Sequence, residues 1–268
     1  MSIRIASTAV VDPKAQIDRD VEIGDFCVIG PHVTLGKGCV LANHVTITGH
    51  TRIGQRNRFF PGAVIGEAPQ DLTYRGEPTR VEIGDENIFR ESVTVNRATM
   101  KEDGLTRIGS NCYFMTGVHI AHDCCVGDRV IMANNTMLGG HSHIQNDVNV
   151  SGAVGIAQFA TVGSFAFIGA MSRVLHDVPP YMVCEGSPAR PRCVNVVALK
   201  RNHFAAEDVT VLQNAFKLMY RSKVGAGEAE ALLLGTGPIR PVLRQFFDFL
   251  EHSRGGRHGR GRDRRKAA

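Results

Sequence analysis

The chain of 268 residues is 43% hydrophobic and 21% charged, the balance of a globular protein, which excludes a disordered or collagen-like polymer. Its apolar runs fall far short of the roughly 18 to 20 residues that cross a bilayer, and the opening MSIRIASTAVV lacks the basic, apolar and cleavage-site succession of a leader; the expectation is a cytoplasmic protein without a transmembrane segment. The net charge of +5 is confined to residues 254–268, where seven Arg or Lys stand against one Asp, so the rest of the chain sums to −1 and no specific nucleic-acid partner is expected.

From Ile5 the sequence repeats every six residues. Aliphatic or aromatic side chains recur at Val11, Ile17, Ile23, Ile29 and onward to Ile65, again at Ile83, Phe89 and Val95, and from Ile108 to Val174. A helix cannot keep a six-residue repeat on one face, whereas short strands joined by corners can. Two residues before each aliphatic stands a small or β-branched one, such as Val21, Cys27, Val33 and Cys39, which points to the same side of a strand. Gly recurs one residue after the aliphatic, as at Gly24, Gly30, Gly36 and Gly54, where a tight corner is eased by the lack of a Cβ. Three hexads make a triangular coil, and coils stack about 4.8 Å apart along the ladder. Four of the seven cysteines, Cys27, Cys39, Cys112 and Cys124, occupy the small inward slot and no C-x-x-C pair exists, so they read as core filler rather than as disulfides or zinc ligands.

Two stretches break the count. Residues 66–82 and 96–107 carry Pro, Gly and charge, and are expected to leave the prism as external loops. The β-helix is expected over residues 1–192. After Pro179 and Pro180 the period changes: Leu212, Ala215, Phe216, Met219 and Tyr220, and later Leu243, Phe246, Phe247 and Leu250, have helical spacing. Residues 193–252 are therefore expected to form a helical domain that caps the solenoid or assembles subunits. The basic segment 253–268 has no apolar side chains to offset its ordering entropy and reads as a disordered tail.

His119, His122, His141 and His143 cluster in the repeat region. Ile120, Leu138, Ile156 and Val174 follow one another at intervals of three hexads, which sets His122, His141 and Gln158 on three neighbouring coils along one edge, with His176 on the fourth. A solvated corner explains any one of them; the aligned set points to chemistry. An exposed imidazole titrates near about 6.5 and can take a proton from a sugar hydroxyl. Asp123 beside His122 would stabilise the imidazolium, and a backbone N–H at Gly139 or Gly140 would stabilise a thioester oxyanion. Direct attack of the acceptor on a thioester needs no Ser or Cys nucleophile.

The repeat of aliphatic, Gly, any two, small, any over residues 5–178 resembles the hexapeptide-repeat acyltransferases. The segments GEPTRVEIGD, HIAHDCCVGDRVIMANN, GGH, DVPPY and NVVALKRNHF are similar to the bacterial acyl-carrier-protein–UDP-N-acetylglucosamine O-acyltransferase family. The resemblance implies a left-handed parallel β-helix, a homotrimer with active sites in the clefts between prisms, and no metal or other cofactor. It implies transfer of a 3-hydroxyacyl chain from acyl carrier protein to the sugar 3-hydroxyl, the first step of lipid A synthesis. By the same resemblance His122 is the general base, Asp123 its partner and Gly140 the oxyanion donor. Asp71, His119, His141, Gln158, Asn195 and Arg201 line the substrate site, and Ala170 falls where the bulk at the end of the acyl groove sets chain length.

The sequence departs from the family's pattern at Ala157 and Asn96, where the family has His, at Thr73 in place of a basic residue, and at Val197, Ala198 and Asn202 in the carboxy-terminal motif. These positions surround the substrate rather than the base, so a UDP-sugar with a 3-amino group is an alternative acceptor. A γ-carbonic-anhydrase-like enzyme with zinc on stacked histidines and a non-catalytic solenoid that binds a carrier or sugar nucleotide are the other readings.

Overall fold

The structure, a computed structural model, describes residues 3–234 and 240–264. The hexads become two- to four-residue strands in three sheets of eleven, nine and eight strands. Within the solenoid each strand pairs in parallel with the strand one coil on, as in Val10 with Val28, His119 with Met137 and Cys125 with His143. The aliphatic and small positions both face inward: Ile23, Ile29, Leu35 and Ile47 are buried together with Cys27, Cys39, Cys112 and Cys124. Burial pushes the Cys124 thiol up to about 12, so it is a packed, unreactive group. Phe59, Phe89 and Phe114 stack through the core with centroids 4.8 and 5.1 Å apart, contacts of about 0.5–1.5 kcal/mol each beyond area burial.

The recurring glycines serve a different purpose from the one their spacing suggests. A Cβ on Gly36, Gly54, Gly84 or Gly109 would come within 2.5–2.8 Å of the carbonyl oxygen of the next coil's glycine. Close approach between coils is what excludes a side chain there. The turn itself is made two residues later by non-glycine residues in the left-handed region, for example Arg56 (φ 53°), Glu86 (φ 61°) and Asn111 (φ 60°). Their backbone N–H groups bond to the preceding coil, Arg56 to Lys37 at 2.8 Å and Glu86 to Gln55 at 2.9 Å, which offsets the cost of that conformation.

Both interruptions leave the prism at one edge, between the nine- and eight-stranded sheets. The first runs from strand Val64–Glu67 to Arg80–Ile83 and the second from Thr94–Asn96 to Leu105–Ile108. Strand pairing therefore reclaims residues at the ends of each loop predicted from composition. Asn96 joins the two loops, donating from Nδ2 to the Ala68 carbonyl at 2.6 Å. The solenoid ends in an antiparallel hairpin, Met182–Gly186 with Ala189–Val194, whose first strand continues the eleven-stranded sheet.

Helices follow as expected: α1 (Val196–Arg201), α2 (Ala206–Phe216, running into a π-helical turn at Lys217–Arg221), α3 (Ala226–Leu234) and α4 (Pro241–Arg254). Leu212, Ala215 and Phe216 of α2 and Leu243, Phe246 and Phe247 of α4 are buried, and the two helices pack together. No helix among the described residues is long and apolar enough to cross a membrane.

The basic segment overturns its expectation as far as residue 264; residues 265–268 lie outside the described part. Gly261 N–H donates to Asp177 Oδ2 at 2.8 Å, Arg260 Nη1 donates to the Leu175 carbonyl at 3.0 Å, and Asp263 is fully buried. Composition counts only apolar burial against ordering entropy. Here charge-assisted bonds to half-buried groups of the last coil supply the anchorage.

Candidate active site

His119–Ile120 is a strand of the nine-stranded sheet, residues 121–124 turn the edge, and Cys125–Val126 enters the eight-stranded sheet. The register repeats at residues 139–142 and 157–160. His122 is thus matched with Gly140 and Gln158 on the following coils, while His141 falls one place further on, matched with Asp123 and Phe159. That offset decides the geometry. Asp123 (φ 61°), His141 (φ 64°) and Phe159 (φ 64°) are the left-handed corner residues, and Gly140 stands over the His122 ring. A Cβ on Gly140 would lie 2.5 Å from His122 Cε1 and 2.7 Å from its Nε2.

His122, Asp123 and His141 are buried, at 6%, 3% and 3% exposure. His122 Nδ1 is 2.7 Å from Asp123 Oδ2. The same carboxylate accepts Thr99 Oγ1 at 2.8 Å and Thr99 N–H at 3.1 Å, and the Asp123 N–H donates to Thr106 Oγ1 at 2.9 Å. An anion so placed holds the proton on Nδ1 and leaves Nε2 as the lone pair. His141 stacks on Phe159 at 4.4 Å and 3°, meets His122 edge-on at 5.3 Å, and has Nε2 3.7 Å from Asp123 Oδ2. Donor atoms of His122, Asp123 and His141 lie within 4.8 Å of one another, the one such group among the described residues. The carboxylate at its centre is already engaged by hydrogen bonds from Thr99 and His122, with His141 beside it at 3.7 Å.

A cavity of about 500 Å³ opens beside this edge, lined by His119, His122, Gly140 and Gln158 together with Gln70, Met137, Ala157 and Arg173. His119 Nδ1 is 2.7 Å from Thr94 Oγ1, and burial, then the neighbouring His122, lower its pKa. Among the described residues neither His122 Nε2 nor the Gly140 N–H has a protein hydrogen-bond partner. An imidazole nitrogen and a backbone N–H, both without a protein partner among the described residues, therefore border one cavity.

Other expected site residues stand elsewhere. Asp71, in the first loop next to Gln70, is bonded to Lys101 Nζ at 2.5 Å and to Thr73 Oγ1 at 2.6 Å, and these partners hold its carboxyl well below the usual range. Thr73 thus takes part in fixing Asp71. Asn195 bonds the Phe165 carbonyl at 2.8 Å and caps α1 at the Ala198 N–H, on the edge between the eight- and eleven-stranded sheets. Arg201 lines a separate cavity of about 440 Å³ with Asn195, Val197, Ala198 and Asn202. Ala170 stands on the third edge, between strands Phe167–Ile168 and Arg173–Val174. One chain brings together His119, His122, Asp123, Gly140, His141 and Gln158, and distributes Asn195, Arg201 and Ala170 over its other two edges.

The sequence reading missed Thr99, Thr106, Glu102, Phe159, Gln70 and Arg173. Phe159 was within reach, since it stands three hexads after His141. The threonines and Glu102 belong to an aperiodic loop or its borders, where no register exists to place them.

The family described as UDP N-acetylglucosamine O-acyltransferase, domain 2, matches residues 177–260, and the bacterial transferase hexapeptide repeat matches residues 14–49 and 105–140. The chain is 45% identical to the acyl-[acyl-carrier-protein]–UDP-N-acetylglucosamine O-acyltransferase of Herminiimonas arsenicoxydans, over 93% of this chain and 97% of that one. The same-named protein of Thiobacillus denitrificans is 44% identical over 94% and 98%. Among solved structures, LpxA of Acinetobacter baumannii superposes with a TM-score of 0.87 at 42% identity, covering 91% of this chain and 95% of that one. LpxA of Bacteroides fragilis gives 0.88 at 35%, covering 92% and 96%. These likenesses bear out the left-handed parallel β-helix with a C-terminal helical region.

Proposed function

From the premise that the chain belongs to the acyl-[acyl-carrier-protein]–UDP-N-acetylglucosamine O-acyltransferase family, we propose that it transfers a 3-hydroxyacyl chain from acyl carrier protein to the 3-hydroxyl of UDP-N-acetylglucosamine, the step that opens lipid A synthesis. The observation that carries the reading is the pairing of His122 Nδ1 with the anchored Asp123 carboxylate, with Nε2 turned to a cavity that Gly140 also borders.

The sugar hydroxyl gives its proton to His122 Nε2 as its oxygen attacks the thioester carbonyl. Asp123 stabilises the imidazolium that forms, and the Gly140 N–H takes the oxyanion. Collapse of the tetrahedral intermediate breaks the C–S bond, and the thiol leaves with the proton held by His122. General-base help of this kind is worth about 10²–10⁴ in rate. His119 and Gln158 bind the sugar nucleotide from the cavity wall, Asp71 from its loop, and His141 acts from behind through Asp123.

Asn195, Arg201 and Ala170 complete the site from a neighbouring copy in a homotrimer. Two features support this. These residues occupy the edges that a single chain cannot turn toward His122, and apolar side chains are left uncovered on the sheets between: Val10, Val28 and Met137 on the nine-stranded sheet and Ile131 on the eleven-stranded one. Such faces mark subunit contacts. The test is incubation of the protein with UDP-N-acetylglucosamine and a panel of 3-hydroxyacyl carrier proteins, with products read by mass spectrometry. Acylated UDP-N-acetylglucosamine is expected; acylation solely of a 3-amino sugar would move the acceptor, and no product from any pair would defeat the reading.

A further inference from the structure

The basic C-terminal stretch reaches the reacting centre. Its anchors on Leu175 and Asp177 aim Arg262 at the edge that carries His122. Arg262 Nη1 donates to the main-chain carbonyl of His141, and its Nη2 lies 2.9 Å from both carboxylate oxygens of Glu102. Glu102 Oε1 in turn lies 3.2 Å from His141 Nδ1, while the other nitrogen of that ring is 3.7 Å from Asp123 Oδ2. A continuous path of contacts runs from the tail through the second loop to the carboxylate that orients His122.

We propose that Arg262 is a positioning residue for acyl transfer: it clamps Glu102 to the His141 carbonyl, fixes the His141 ring against Asp123, and so holds His122 in its working orientation. The inference rests on the acyl-transfer reading above. His141 stands between two carboxylates, Glu102 on one side and Asp123 on the other. Burial alone would raise the Glu102 carboxyl, and His141 with Arg262 outweigh it and keep its pKa low, so Glu102 is the anion that the clamp needs. A guanidinium supplies two directed donors at once, here to a carboxylate and to a carbonyl, which an ammonium cannot reproduce.

Steady-state kinetics with acyl carrier protein thioester and UDP-N-acetylglucosamine test it on the full-length enzyme and on Arg262→Gln, Arg262→Lys, Glu102→Gln and the double variant of both glutamines. Arg262→Gln is expected to lower kcat roughly 10-fold, as small misplacements of catalytic groups do, with KM for both substrates within about twofold of wild type. Arg262→Lys recovers part of the loss, and the double variant is no slower than the worse single one because the two residues act as a unit. Unchanged kcat in Arg262→Gln beside an active wild type overturns the proposal, as does a rise in KM with kcat kept, which would make Arg262 a substrate contact. Losses that add in the double variant overturn it too. A wild type without turnover overturns the acyl-transfer reading itself and this inference with it. Thermal melts establish that each variant is folded; should Arg262→Gln fail to fold, Arg262→Lys and Glu102→Gln carry the same kcat and KM comparison.

Discussion

Two pairs of histidines stand on the same edge of the prism, and one of them is equipped for chemistry. His32 and His50, on early coils, stack face to face with centroids 4.3 Å apart and planes 9° from parallel. His122 and His141 meet edge to face at 5.3 Å and 87°. The members of the first pair are separated by three hexads, a full coil, so the rings repeat one position; in the second pair His141 falls one step past a full coil, so the rings occupy neighbouring positions. Burial, then His32, Arg97 and Arg80, lower the pKa of His50, a cationic setting in which no carboxylate among the described residues is paired with the ring. His122 has Asp123, with its oxygens already fixed by Thr99, and a glycine above it where a side chain would collide. On the proposed reading, an aligned histidine becomes a base when a carboxylate and an open space are built around it.

The sharpest way to break that comparison is His122→Ala, expected to lower kcat by about 10³-fold or more with the oligomer retained in gel filtration, while His32→Ala and His50→Ala stay within about twofold, the range of surface changes. Next comes Gly140→Ala. Its Cβ would lie 2.5 Å from the His122 ring, so the ring must move, and a loss of about 10² in kcat is expected although the backbone N–H survives. Thr99→Val tests the anchorage of Asp123. One charge-assisted bond is worth about 1.5–3 kcal/mol, so kcat should fall about 10-fold with the KM values little changed, because Thr99 is set back from the cavity.

The smallest effect concerns His143, on the same coil as His141. Burial, then the charge of Arg262, lowers its pKa to about 4. The unfolded chain binds that proton near about 6.5, so between those values protons favour the unfolded state. Its contribution to stability is full above about pH 6.5 and is lost as the pH falls toward 4. His143→Gln should flatten the fall of Tm between pH 7 and 5; an unchanged slope would place the acid sensitivity elsewhere.

What the sequence made legible follows from periodicity. Ile120, Leu138 and Ile156 fixed the coil, and the coil fixed which edge His122 and Gln158 share, since a repeating backbone turns sequence distance into position. The offset of His141 from His122 is also written in the count, and yields its role only once the corner conformations of Asp123, His141 and Phe159 are seen. Thr99, Glu102 and Arg262 lie where the period has lapsed, in a loop and in a run of Arg and Gly, and their places depend on single polar contacts with coils far away in sequence. Composition treated that run as solvated because it has nothing apolar to bury; the buried Asp263 and the bonds from Gly261 and Arg260 are contacts that composition cannot register.

The closing hairpin gives the two ends of the solenoid unequal characters. A stack of parallel coils has no inherent length, and its last rung presents a template on which another chain can grow. Folding Ala189–Val194 back antiparallel on Met182–Gly186 reverses the chain at that rung, and the helices then cover it. Forward growth of the eleven-stranded sheet is thereby blocked by chain reversal together with the helix α2 that packs on the hairpin. At the other end of that sheet strand Arg4–Ile5 is exposed and pairs on one side alone among the described residues.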